Sequence, residues 1–145
     1  MKRTLLTLFL AGLLIAACTS AGSTSLVGTW RLVSYGPKDA PSPAVSDANA
    51  SLTFGKDSSV GGSGGCNSLG GSYEVDGEQI NFSEITMTLM ACDDTRMAQE
   101  GVVTQVLTGT AQYEIEGNKL TLTNDDQVLV FTSAPGSYPA SYPYQ

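Results

Sequence analysis

Over much of the chain, large apolar residues recur at every second position, broken by short clusters of glycine, asparagine and aspartate. That pattern predicts half-buried β-strands joined by tight turns. "GTWRLVSY" (28–35) places Trp30 and Leu32 on one face. "SLTF" (51–54) and the segment around Val60 read as a hairpin turning at Gly55-Lys56-Asp57. "SYEVDGEQINF" alternates Tyr73, Val75, Ile80 and Phe82 about Asp76-Gly77, a pair suited to a two-residue turn, and its second strand is expected to continue through Ile85 and Met87. "AQYEIEGNKLTLT" turns at Gly117-Asn118, and "QVLVFT" follows the turn Asn124-Asp125-Asp126.

One segment departs from this alternation. In "DDTRMAQEGVVTQVLTG" (93–109), Met97, Val102, Val103, Val106 and Leu107 fall mostly at helical spacing. Asp93 and Asp94 stand where a cap and the helix dipole favour acids, and Gly109 offers a stop. Gly101 costs such a helix about 1 kcal/mol relative to alanine. Strands, one helix and three more strands with short links predict an α+β fold. Its form is expected to be a curled antiparallel β-sheet or small partly open barrel packed by one α-helix. "GPKDAPSPAVSDANA" (36–50) has three prolines and no period, so it is expected to be a loop and the least ordered part of the domain.

The chain begins "MKRTLLTLFLAGLLIAAC", a basic start followed by an apolar run too short to span a bilayer permanently, which takes about 20 residues. Residues 1–17 read as a signal peptide, and Ile15-Ala16-Ala17-Cys18 resembles the lipobox of bacterial lipoproteins. On that reading the signal is cut before Cys18, which carries acyl chains that anchor the protein stably. An ordinary signal with an incidental cysteine is the alternative. Residues 18–25 would form a flexible tether, 26–132 the folded domain, and 133–145, with its Ser-Tyr-Pro repeats, a disordered tail. Because Thr19 and not aspartate follows the cysteine, a host with two membranes would place the protein in the outer one, facing the periplasm. A host with one membrane would carry it on the outer face of the cytoplasmic membrane.

Charge then narrows the partners. The full chain has 7 basic and 14 acidic residues, a formal charge of −7. Loss of residues 1–17 removes Lys2 and Arg3 and no acid, leaving −9. Such a surface repels nucleic acid and anionic lipid, so membrane contact is expected through the acyl chains alone.

The chain contains no histidine, which removes the usual Ser-His and Cys-His catalytic pairs. The glycine-rich "GGSGGCNSLGGSY" (61–73) invites a phosphate-binding reading. However, Asn67 stands where G-x-G-x-x-G needs its last glycine, and no Gly-Lys-Ser/Thr follows. Carboxylates gather at Glu74/Asp76/Glu78, Asp93/Asp94 and Asp125/Asp126 without the spacing of a calcium loop, and are expected in solvated turns and caps. No metal or cofactor is expected.

With Cys18 assigned to lipid, Cys66 and Cys92 remain as a pair in an exported, potentially oxidising setting. A disulfide between them would close about 27 residues and remove roughly 3.5 kcal/mol of unfolded-chain entropy. The rival is a redox pair, for which Cys92, just before the helix, would favour its thiolate.

"LVGTWRLVSY", "LTF", "VGGSGGCNSLGGSYEVDG", "INFSEITMTLMAC" and the closing "YEIEGNKLTL" with "LVF" resemble the META domain, the family that includes the HslJ heat-shock proteins. The most specific elements are Gly65-Cys66-Asn67 with Gly71 and Tyr73, and Thr88-Leu89-Met90-Ala91-Cys92. The resemblance implies a compact domain of curled antiparallel strands with one helix on secreted or lipid-anchored bacterial proteins, associated with stress tolerance and envelope integrity. It carries the motif cysteines over as Cys66 and Cys92 without fixing their oxidation state, and it implies no enzymatic activity and no ligand. The 36–50 loop and the tyrosine-proline tail depart from the family pattern.

The expected function is therefore a non-enzymatic, lipid-anchored envelope protein that binds or scaffolds an envelope protein or cell-wall component. An apolar-ligand carrier, with a cavity between Trp30, Phe54, Phe82 and the Val102/Val106 face, is the alternative. Thiol redox work by Cys66 and Cys92 is the third.

Overall fold

The computed structural model describes residues 25–134. The segment read as a signal peptide, Cys18, nearly all of the tether and residues 135–145 of the expected tail lie outside the described residues, whereas Ser133 ends β9. The elements run β1 (Gly28–Pro37), β2 (Ser42–Pro43), β3 (Ser51–Phe54), β4 (Ser59–Ser63), β5 (Ser68–Asp76), β6 (Gln79–Met87), α1 (Asp94–Val106), β7 (Gly109–Glu116), β8 (Lys119–Asn124) and β9 (Gln127–Ser133).

The expected hairpin turns at 55–57, Asp76-Gly77, Gly117-Asn118 and 124–126 all join neighbouring antiparallel strands. The fold class requires correction. The sheet does not stay open: β1 pairs with β3 through Gly28–Arg31 and with β9 through Trp30–Pro37, so eight strands close into an antiparallel barrel with β2 as an extra strand on β1. The molecule is mostly β, with one short helix, and not an α+β sheet. A shift of register between Leu32 and Ser34 lets the ten-residue β1 serve both neighbours, because a bulge bends and twists a strand away from one partner. Closure also removes the sheet edges that would otherwise be open to aggregation.

Side chains fill the barrel. Trp30, Leu52, Phe54, Ile80, Phe82, Leu120, Leu122, Leu129 and Phe131 are buried in one cluster together with Val103, Val106 and Leu107 from the helix side. Tyr73 stacks edge-on against Phe54 at 5.1 Å, while Val75, on the same strand, is 41% exposed.

Pairing registers separate the two ends of the barrel. The 55–58, 77–78 and 117–118 turns share one end with the described chain termini, where Ala134 N–H donates to the Thr29 carbonyl at 2.9 Å. The opposite end holds the 64–67 turn, the 88–93 segment, the 124–127 turn and α1. We call it the helix end.

Gly71 is required by a second bulge. Glu84 takes φ +55° where β6 shifts register against β5, and a Cβ on Gly71 would sit 2.8 Å from the Ser83 carbonyl oxygen and 3.1 Å from Ile85 Cα. Gly71→Ala is therefore expected to cost about 1–3 kcal/mol, as overpacking against backbone does, and chemical denaturation measures it. A loss under about 0.5 kcal/mol, the range of neutral surface changes, would show that the bulge relaxes freely.

Candidate functional site

At the helix end the glycine loop, the 88–92 segment and α1 meet. The helix starts where Asp93 caps it, with its carboxylate accepting from Arg96 N–H at 3.1 Å and from the Arg96 guanidinium at 2.6 Å. Those bonds, the backbone one foremost, hold the Asp93 carboxyl below its ordinary value. Its contribution to stability is thus present above the usual carboxylate range and is lost as acid protonates the folded form.

The helix side buries the expected Val103, Val106 and Leu107, with Val102 packed against the core, but Gln99 and Glu100 are buried too and Met97 is not. Gln99 and Glu100 are 0% and 4% exposed beside Val103 and Val106, while Met97 is 41% exposed. The loops facing the helix supply the reason, because their backbone donors and acceptors need partners and only polar side chains provide them. Gln99 accepts Val45 N–H at 2.7 Å and donates to the Gly64 carbonyl at 2.7 Å. That bond helps to fix the 36–50 loop, expected to be the least ordered part of the domain. The loop also pairs as β2 with β1, sends Ala44 N–H to the Val33 carbonyl and offers Asp47 to Arg96 at 2.6 Å. Gly65, at φ +122°, passes so close that a Cβ would lie 2.6 Å from Gln99 Nε2.

Glu100 is the centre of the network. Its Oε2 accepts the backbone N–H groups of both Cys66 and Asn67, and its Oε1 accepts Asn67 Nδ2 at 2.6 Å. Asn67, 2% exposed, spends its remaining groups on the 88–92 segment. Oδ1 accepts Thr88 Oγ1 at 2.8 Å and Met90 N–H at 2.7 Å, and Nδ2 also donates to the Met90 carbonyl at 3.2 Å. The Met90 backbone, a donor on one side and an acceptor on the other, fixes which way the Asn67 amide points. No buried side-chain nitrogen or oxygen lacks a partner among the described residues. The glycine loop does cradle an anion, and that anion is the protein's own Glu100.

Cys66 and Cys92 are joined, with their Cα atoms 6.0 Å apart. The bridge therefore ties the same two segments as the Asn67–Glu100 network. Cys18 lies outside the described residues.

The buried carboxylate and the two cysteines are already engaged within the site. Both oxygens of the buried carboxylate are occupied by donors, and the thiols are bonded to each other. Among the described residues no group of three His, Cys, Asp or Glu side chains could hold a metal ion. Trp30, Phe54, Phe82 and Val106 belong to the core cluster, with Val102 packed against it. Two open depressions have volumes of about 310 and 350 Å³; Glu78 and Glu114 line the first, Glu74 and Asp76 the second.

Among the exposed acids of the helix end, Asp47, Asp93, Asp94, Asp125 and Asp126, three apolar side chains also face water. Leu89 is 93% exposed and Met90 56%, on the segment whose backbone Asn67 holds, with Met97 nearby on α1. The expectation of inward-facing apolar residues does not extend to these side chains.

The family model of the META domain matches residues 24–136. The chain belongs to the META domain family. Solved structures share the fold of this META-domain chain. A protein from Burkholderia xenovorans, determined by NMR, is 23% identical, with 74% of this chain and 82% of that one covered at a TM-score of 0.63. A DUF4847 family protein from Bacteroides vulgatus is 18% identical, with 72% and 91% covered at 0.50. An uncharacterised protein from Bacteroides eggerthii is 18% identical, with 76% and 100% covered at 0.50. No curated protein matches the chain.

Sequence reasoning singled out Cys66, Asn67 and the 88–92 motif but missed Gln99 and Glu100. Two adjacent polar residues on a helix read as its solvent face. The only available signal was the glycine loop itself, whose unpaired backbone donors require an acceptor from elsewhere in the fold.

Proposed function

We propose that this META-domain protein is a non-enzymatic binding or scaffolding component of the cell envelope, anchored through acyl chains on Cys18 and serving envelope integrity or stress response. The observation that carries the binding role is the Leu89–Met90 loop. Scattered exposed leucines are ordinary on protein surfaces. A leucine 93% in water on a segment fixed by a buried hydrogen-bond network is different, since such a loop has little conformational freedom left to lose on binding. Its location suits the anchor: the described chain ends lie at the opposite end of the barrel, so a tether from Cys18 leaves the helix end facing away from the membrane. The fully occupied Glu100 and the bonded cysteines support a non-enzymatic reading.

A photocrosslinking residue placed at position 89 of the full-length lipidated protein tests this in intact cells. A discrete adduct is expected from position 89 and none from Gln112, exposed on the barrel wall. No adduct from either position, or equal adducts from both, would contradict a binding face at the helix end.

A further inference from the structure

We propose that Cys66 and Cys92 form a reversible thiol–disulfide pair that sets how firmly the Leu89–Met90 loop is held, with the barrel folded in both states. The proposal rests on the binding reading only for its consequence, because the thiol chemistry stands on separate observations.

The first observation is duplication. The bridge and the Asn67–Glu100 network join the same two segments, and the network uses no sulfur. Opening the bridge leaves the network in place, and with it the closeness of the two thiols. The second is access: both cysteines are only half-buried and neither belongs to the core cluster, so a thiol reagent reaches the sulfurs without the barrel opening. The third is asymmetry. Asn67 holds Thr88 and Met90, whereas Ala91 and Cys92 have no backbone hydrogen bond among the described residues. Between the Asn67 bonds to Met90 and the Asp93 cap, the bridge is the tie that this stretch has.

The chemistry balances with an external thiol as reductant. Its thiolate attacks one sulfur, the S–S bond breaks, and the other cysteine leaves as a thiolate that takes up a proton. A second external thiolate then attacks the mixed disulfide and releases the remaining cysteine. The pair gains two electrons and two protons, and the external thiols depart as their own disulfide. Reduction thus loosens the helix side of the Leu89–Met90 loop, lowering the preorganisation on which a partner's affinity depends.

Reduced glutathione added to the full chain, followed by residue-resolved amide exchange, tests this. The pair is expected to open, with exchange at Arg96 and Met97, whose N–H groups are bonded to Asp93 just beyond Cys92, rising tenfold or more. Cys66, Asn67 and Met90, whose N–H groups stay bonded to Glu100 and Asn67, should change less than twofold, as should the strands. A pair that stays closed in glutathione, a barrel that loses protection together with the loop, or no change anywhere would overturn the proposal. In the oxidised Asn67→Ala variant, Met90 exchange should rise while the bridge is closed; an unchanged Met90 would show that the two tethers are not independent. If these responses appear but position 89 yields no adduct, the binding reading fails and the thiol pair stands.

Discussion

Glu100→Gln is expected to lower the stability of the domain by about 2–4 kcal/mol, because one buried charge-assisted set of bonds is lost and an N–H group is turned against other donors. All three partners of Glu100 are donors, so both of its oxygens must accept. A glutamine has one accepting oxygen. If it faces Cys66 and Asn67 N–H, its amide nitrogen meets Asn67 Nδ2; if it turns over, the nitrogen meets two backbone N–H groups. Asn67 has no freedom to adapt, since a flipped amide would face Met90 with donor against donor and acceptor against acceptor.

The same logic predicts a rescue. Asn67→Asp alone brings two carboxylates together and should also be strongly destabilising. Combined with Glu100→Gln, it lets the glutamine oxygen accept both backbone N–H groups while its nitrogen donates to the carboxylate introduced at position 67. The double variant should therefore be more stable than either single variant, short of wild type because the Met90 carbonyl now faces an oxygen. Urea midpoints of the four proteins give the coupling directly. Losses that simply add would mean that the two side chains do not depend on each other in the way the geometry requires.

Cys66→Ala and Cys92→Ala are each expected to cost about 3.5 kcal/mol in the chain-entropy model, and the double replacement is expected to cost little more. For a domain of this size that is on the order of 15 °C in melting temperature. Each single variant should remain folded at room temperature, because the core cluster contains neither cysteine and the Asn67–Glu100 network persists. Additive losses would mean that the two cysteines are stabilising for separate reasons, against the bond seen between them.

Local features of the chain were readable because they are encoded locally. Asp76-Gly77 and Gly117-Asn118 turn where glycine takes φ near +60°, and Asp93 caps α1 as its position requires. The Cys66–Cys92 pairing followed from counting thiols. Barrel closure was not readable, because β1 and β9 are about 100 residues apart and nothing within either strand names the other as its neighbour. Gln99 and Glu100 were missed for a related reason: their burial is decided by backbone donors and acceptors in loops 33 or more residues away. Leu89 and Met90 were quoted as part of a motif, but alternation describes which residues share a face and not which segment leaves the core.

The glycine loop, Asn67, Glu100 and the bridge form, on this account, a rigid mount for Leu89 and Met90. The most direct measurement is the crosslinking yield from position 89 in the Asn67→Ala protein, at a temperature where its melting curve shows it folded. A mount for binding predicts a strong adduct in the wild type and at least a fivefold weaker one when Asn67 no longer holds Met90. An equal yield in both proteins would contradict it, and would mean that the network serves folding stability alone.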